Sequence, residues 1–506
     1  MKRINKYIAI LLATSTLVSC SVFDDINTNP DATTKVTPSL LATGLLLNLT
    51  SSSSSKTFVY DEMLSKQLAW AGEGIEDYQY NVLGRSSFSY GTLIDAQKMV
   101  ESVRDNNVNA YDGLAHFVKA YKIFYMSMEM GDIPYEEALK GESGLVKPKY
   151  NTQKEVMNFV LADLDEAYRL FSDAKDFTGD PFLGGKVKAW QKITTALQLK
   201  VLMHLSKKEA DTDLKVKERF AQITTTRSLM ESNDDNFQMK YYDKANTLYP
   251  FHNTNTKHAL NAVLSHMIID KCKATGDIRM FYYAKPAEAK LKAGIAADSW
   301  DAYIGVDPSK PYSIIEDEFT TKNYCELNAR YLDYPSGEPI VRLGYAEQNF
   351  ILAEAAARGW ITGDASIYYK KGIKASMDFI AANTPNEAIY HHGHPLTVEA
   401  IAAFLETPSI QLNSNKETNI EKIITQRYLA SFMQHPYDTY YDYRRTGYPI
   451  LPINPATNRN TVKDKLPMRW MYPKSEFDYN KENIDEALQR QFGGSDDVNS
   501  LMWILQ

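Results

Sequence analysis

Along most of the chain, apolar side chains recur three and four residues apart, the spacing that puts them on one face of an α-helix. Residues 111–130 read Leu114, Phe117, Val118, Tyr121, Phe124 and Tyr125, and Gly131-Asp132-Ile133-Pro134 follows as a stop. The run 153–171 repeats the pattern with Val156, Phe159, Val160, Leu164, Ala167 and Leu170. The same reasoning predicts helices over 39–49, 92–106, 190–205 and 214–230. Past Tyr345 the periodicity returns. Phe350 to Arg358 carries Ala353, Ala355, Ala356 and Ala357, small residues that permit close helix contact, and helices are expected over 366–382, 397–406 and 419–434. Successive helix–turn–helix pairs describe an all-α, solenoid-like base. No strict repeat consensus accompanies them, so spacing alone does not make them tetratricopeptide repeats.

Residues 233–343 break the pattern. They are rich in Tyr, Asn, Asp, Pro and Gly, and Leu260 to Cys272 alone is periodic enough for a solid helix. Long irregular stretches in a compact protein commonly carry function, so this region is expected to lie as loops over the helical base and to hold a ligand.

The start of the chain follows a different logic. Lys2, Arg3 and Lys6 precede the apolar run Tyr7–Val18, which closes on Leu17-Val18-Ser19-Cys20. A basic segment, an apolar core and a small residue describe a secretory leader. The run is shorter than the roughly 20 residues a membrane span needs. The tetrapeptide resembles the lipobox of bacterial lipoproteins, which implies lipid on Cys20; a chance cysteine in an ordinary secreted protein is the alternative. Asp24-Asp25 close behind it resembles the export signal that sends Bacteroidetes lipoproteins to the outer face. The expected organisation is a signal peptide over 1–19, a lipidated tether over 20–36 with little to bury, and one domain over 37–506 containing the irregular region.

Composition narrows the class. The formal net charge is −7, and loss of Lys2, Arg3 and Lys6 with the leader makes the remainder −10. An acidic surface disfavours nucleic acid. Of three cysteines, Cys272 and Cys325 lie beyond Cys20; neither belongs to a CxxC pair, and their separation in sequence does not decide whether they pair. The 33 tyrosines outnumber the 20 phenylalanines. Tyrosine presents a flat apolar face with a polar rim, which suits surfaces that bind sugars or peptides, although most of the set is expected at helix interfaces.

The C-terminal third carries recognisable blocks. They are Tyr345 to Trp360, Tyr368 to Met377, Ile423 to Ala430 leading into Tyr443-Arg444-Arg445-Thr446-Gly447-Tyr448-Pro449, and Pro467-Met468-Arg469-Trp470-Met471-Tyr472-Pro473. With the lipobox and Asp25-Ile26-Asn27-Thr28-Asn29-Pro30, the chain resembles the SusD/RagB family of outer-membrane nutrient-binding lipoproteins, and most closely its second SusD-like subgroup. The resemblance implies an all-α fold, a tetratricopeptide-like base of helix pairs and a loop-rich ligand region. It also implies capture of an oligosaccharide or peptide at the cell surface, delivery to a SusC-like TonB-dependent transporter, and no enzymatic activity. Arg444-Arg445 follows Tyr437, Tyr440, Tyr441 and Tyr443, so a guanidinium–aromatic stack is expected, and an anionic ligand held by Arg444 or Arg445 is the alternative.

A search for catalytic motifs gives the same answer. The chain has no GxSxG, HExxH or GxGxxG. Gly179 to Lys186 brushes a phosphate-binding loop, but Val187 stands where a Ser or Thr would meet Mg²⁺. His391, His392 and His394 form the densest imidazole group, yet they read as an exposed loop ending at Pro395, so no metal and no cofactor is expected. Two aromatic clusters are the candidate ligand contacts: Trp70, Tyr78, Tyr80 and Arg85 early in the chain, and Tyr282, Tyr283, Trp300, Tyr303 and Tyr334 in the irregular region. Competing readings are a surface hydrolase whose carboxylates meet only in the fold, and a purely structural lid of the transporter.

Overall fold

A computed structural model describes residues 36–52, 56–72, 74, 77–104, 107–254, 261–434 and 437–506. The expected leader, Cys20 and the expected tether up to residue 35 lie outside the described residues. Helix α1 (Pro38–Thr50) opens the fold, with Pro38 in its first turn and the Thr37 hydroxyl accepting from the Leu40 amide. It packs on α2 (Tyr90–Glu101), which packs on α3 (Val108–Met130). Helices α4 (Gln153–Ser172), α5 (Val187–His204) and α6 (Val216–Thr226) then stack in succession. The stripe Leu114, Phe117, Val118 and Phe124 is buried, as the periodicity requires. Thr152 and Glu155 form a reciprocal capping box that starts α4.

The second set contains α7 (His266–Thr275), α8 (Tyr345–Ala357), α9 (Ala365–Ala382), α10 (Val398–Leu405), α11 (Lys416–Ala430), α12 (Tyr437–Thr446) and α13 (Lys481–Phe492). Helix α8 packs on α9, α11 and α5, which joins the two sets. Within the first set Trp190 of α5 sits among Phe117, Phe171 and Phe237 with ring centroids 5.2, 6.1 and 5.5 Å away. A largely buried ionic chain joins α5 to the second set. Lys200 pairs with Glu347 at 2.9 Å and Asp438 at 2.7 Å, Arg427 reaches Asp442 at 2.8 Å, and Arg445 bridges Asp442 and Glu354.

Among the described residues four short strands make two antiparallel ribbons, with three of the strands in the irregular region and one early in the chain. Strand β1 (Leu68–Trp70) pairs with β3 (Ala262–Leu264), and β2 (Phe237–Met239) pairs with β4 (Ile340–Leu343) across a bulge at Phe237/Gln238. The helix expected over 260–272 therefore begins late. Ala262–Leu264 is taken by β1, and the Ser265 hydroxyl accepts from the Met267 amide to start α7. Cys272 and Cys325 are both buried free thiols. Among the described residues, no helix is long and apolar enough to cross a membrane.

Candidate ligand-binding cleft

An open cleft of about 720 Å³ lies where α1, the loop 180–183 and the segment after β2 meet. Its aromatic walls are Phe182, Tyr241 and Tyr242; Asn236, Gln238 and Asn246 supply amides, and Asp234 and Lys240 the charges. Each wall has a local cause. Phe182 stands edge-on to Phe237, which is fully buried against Trp190. Tyr241 packs edge-on to buried Tyr249, and its neighbour Tyr242 turns outward, 58% exposed. The tip 242–247 is a tight turn: the Tyr242 amide donates to the Thr247 carbonyl at 2.8 Å, and Asn246 adopts φ +66°, a region Asn tolerates better than most residues.

The loop 177–187 that carries Phe182 is held by one carboxylate. Asp180 accepts from the amides of Phe182, Leu183 and Gly185 at 2.8, 3.1 and 3.0 Å, and from the Trp190 indole at 2.9 Å. This segment is the one that brushed a phosphate-binding loop in sequence. Those three amides are already bound to Asp180, so a phosphate would have to displace a carboxylate. Gly185, at φ +67°, lies so close to the Phe177 carbonyl that a Cβ would stand 1.8 Å from its oxygen.

Next to the cleft, a narrow space lined by Asn236 and by Arg342 of β4 shares Asn236 with the cleft, and it shares Arg342 with a recess of about 290 Å³ beside α3 and α12. Tyr121, Lys122, Tyr125, Glu129 and Asp438 line it. Burial, aided by Arg342, lowers the Lys122 ammonium pKa, and burial raises that of the Glu129 carboxyl. For Asp438 burial works upward, but Lys200 and Arg427 outweigh it and hold the carboxyl below its usual range.

Most of the sequence-predicted contacts turn inward. Trp70, Tyr80, Tyr282, Tyr283 and Tyr303 are buried. The hydroxyls of Tyr80, Tyr283 and Tyr303 donate to the carbonyls of Lys310, Leu429 and Ala297, and that of Tyr282 accepts from the Leu396 amide. Tyr78 is half-buried and stacked on Tyr60 at 4.6 Å. Arg85 is exposed, but it pairs with Asp496 at 2.9 Å and donates to the Tyr472 carbonyl. Half-buried Trp300 joins Phe281, and His394 stacks on Phe281 at 3.7 Å, so the histidine segment and the middle cluster form one aromatic patch. Half-buried Tyr334 lies beside Tyr390. The early segment meets the irregular region through Tyr80 to Lys310 and through Tyr312, whose hydroxyl donates to the Ala71 carbonyl at 3.0 Å.

Two other segments singled out in the sequence are placed as follows. The Arg444 guanidinium lies over Tyr441 at 4.3 Å and donates to the Met468 and Met128 carbonyls, so it packs rather than faces a ligand. The histidines lack metal-binding company: among the described residues no group of three or more His, Cys, Asp or Glu side chains is arranged to hold an ion. Sequence inspection missed Phe182, Tyr241, Tyr242 and Asn246. The available signal was a Tyr pair within Asp, Lys and Asn inside the irregular region.

A helical scaffold with an open cleft, aromatic walls and amide rims has the make-up of a binding protein. The family model SusD-like_2, described as starch-binding and associating with the outer membrane, matches residues 30–473, and the chain belongs to that family. A solved SusD homologue from Bacteroides fragilis is 76% identical, with a TM-score of 0.91 over 93% of this chain and 100% of that one. A second SusD homologue from the same species is 32% identical, with a TM-score of 0.81 over the same shares. A chitin-binding SusD homologue from Flavobacterium johnsoniae shares the fold at 20% identity and TM-score 0.69, over 92% of this chain and 98% of that one. Among curated proteins none matches.

Proposed function

We propose that this chain is a cell-surface lipoprotein, anchored through Cys20, that captures an oligosaccharide and passes it to a SusC-like TonB-dependent transporter. The observation that carries the reading is the 720 Å³ cleft, whose Phe182, Tyr241 and Tyr242 offer apolar faces beside Asn236, Gln238 and Asn246. Sugar rings pack C–H faces on aromatic rings and need amides for their hydroxyls. Trp300 and Tyr334, each with an exposed edge, stand as a second contact patch.

The cleft also favours carriage over cleavage. Glycoside hydrolysis requires two carboxylates across the scissile bond. Among the described lining residues of the cleft, Asp234 alone supplies one. Isothermal titration against panels of neutral oligosaccharides and peptides tests the reading, with recovered ligand analysed for breakdown. Saturable binding of an intact glycan supports it. Peptide binding overturns the ligand class, and shortened glycan overturns the carrier role.

A further inference from the structure

A second, separate cavity of about 280 Å³ opens among α4, α5 and α6 and shares no lining residue with the cleft. Asp165 comes from α4, Gln198 from α5, and Arg219, Gln222 and Thr226 from α6, with Arg227 at the C-terminal cap. Two guanidiniums therefore face one carboxylate. That carboxylate is already engaged: Asp165 accepts from Arg227 and, at 2.8 Å, from Gln198 Nε2. Arg227 also donates to Gln198 Oε1 and lies over the Tyr168 ring at 4.5 Å. The Thr226 hydroxyl donates to the Gln222 carbonyl.

Arg219 is left over. Its Nη1 is buried and has no hydrogen-bond partner among the described residues. A buried guanidinium nitrogen without an acceptor is costly, and such groups call for a bound species. The cavity holds more than the roughly 30 Å³ a water occupies. Water would supply an acceptor but leave the excess positive charge. An oxyanion supplies both, and the planar fork of arginine matches carboxylate and sulfate oxygens. We infer that this cavity, built on Arg219, is a binding site for a small oxyanion, either free or carried as the acid or sulfate group of a saccharide.

Titration of the purified full chain with sodium sulfate and with sodium glucuronate tests this, against sodium chloride of equal ionic strength and neutral glucose. At least one anion is expected to bind saturably with Kd on the order of 1 mM, and to raise the melting temperature where chloride and glucose do not. Tighter binding of glucuronate than of sulfate assigns the site to a sugar acid; the reverse assigns it to sulfate chemistry. Arg219→Gln is expected to weaken the bound anion by roughly tenfold or more. Because Arg219 Nη1 makes no hydrogen bond, the variant should not melt lower without anion. Arg219→Lys keeps the charge and should fall between the two. Sulfate and glucuronate responses no larger than chloride's would overturn the assignment, as would equal responses in wild type and Arg219→Gln.

Discussion

Arg342 Nη2 on β4 donates to the carbonyl of Ser51 at 2.8 Å, and also to that of Thr50 at 3.1 Å. A cation thereby meets the last carbonyls of α1, where the helix has unpaired acceptors and partial negative charge. Arg342 also lines the recess and the narrow space next to the cleft. Arg342→Ala is expected to cost about 1–2 kcal/mol of stability and to weaken ligand binding, read by urea unfolding and calorimetric titration. Unchanged affinity would place the ligand elsewhere.

Tyr242 and Trp300 separate the two candidate contact patches. Loss of one stacked ring removes about 0.5–1.5 kcal/mol, so Tyr242→Ala should weaken binding roughly two- to tenfold with little change in melting temperature. If Trp300→Ala has that effect and Tyr242→Ala does not, the ligand sits on the Phe281–His394 patch. Trp70 is a poor probe of binding. It is 1% exposed, and Trp70→Ala should destabilise the fold by about 3–5 kcal/mol.

Gly185 sets the position of the Phe182 wall from a distance. A Cβ there meets the Phe177 carbonyl, and the positive φ adds strain for any L side chain. Gly185→Ala should lower stability by about 1–3 kcal/mol and loosen the 177–187 loop, seen as faster amide exchange at Phe182 and Leu183. Protection equal to wild type would show that the backbone absorbs the methyl group.

Glu354 gives the fold a defined acid response. Burial pushes its carboxyl pKa up, but Arg445 and Arg358 outweigh that and bring it down to about 2. A folded-state pKa below the unfolded value stabilises the fold above pH about 4.5 and loses that contribution as pH falls towards about 2. Glu354→Gln removes the carboxylate that pairs with half-buried Arg358 and one of the two that pair with buried Arg445, at a cost of about 3–5 kcal/mol near neutral pH. The gap between variant and wild type, measured by urea titration, should narrow steadily below pH about 4.5. A gap independent of pH would mean that packing, not charge, holds Glu354 in place.

Much of the scaffold was legible because helix formation is local. Leu114, Phe117, Val118 and Phe124 fall on one face of α3 whatever surrounds it, and the family blocks from Tyr345 onward are contiguous in sequence. The leader and the lipid attachment at Cys20 are expectations that rest likewise on a linear pattern, and they lie outside the described residues. The cleft is a different kind of fact. Trp70 looks like a sugar-binding residue until β3 pairs with its strand, and Tyr282, Tyr283 and Tyr303 until neighbouring segments take up their hydroxyls. Tyr241 and Tyr242 are adjacent and chemically identical; packing on Tyr249 half-buries one while the turn exposes the other. Glu354 and Arg445 stand 91 residues apart, and their pairing exists only once α8 and α12 meet. Sequence fixes where a side chain points along its own element. What covers that side chain is decided by residues far away in the chain, and so exposure, charge state and the ligand surface belong to the tertiary structure.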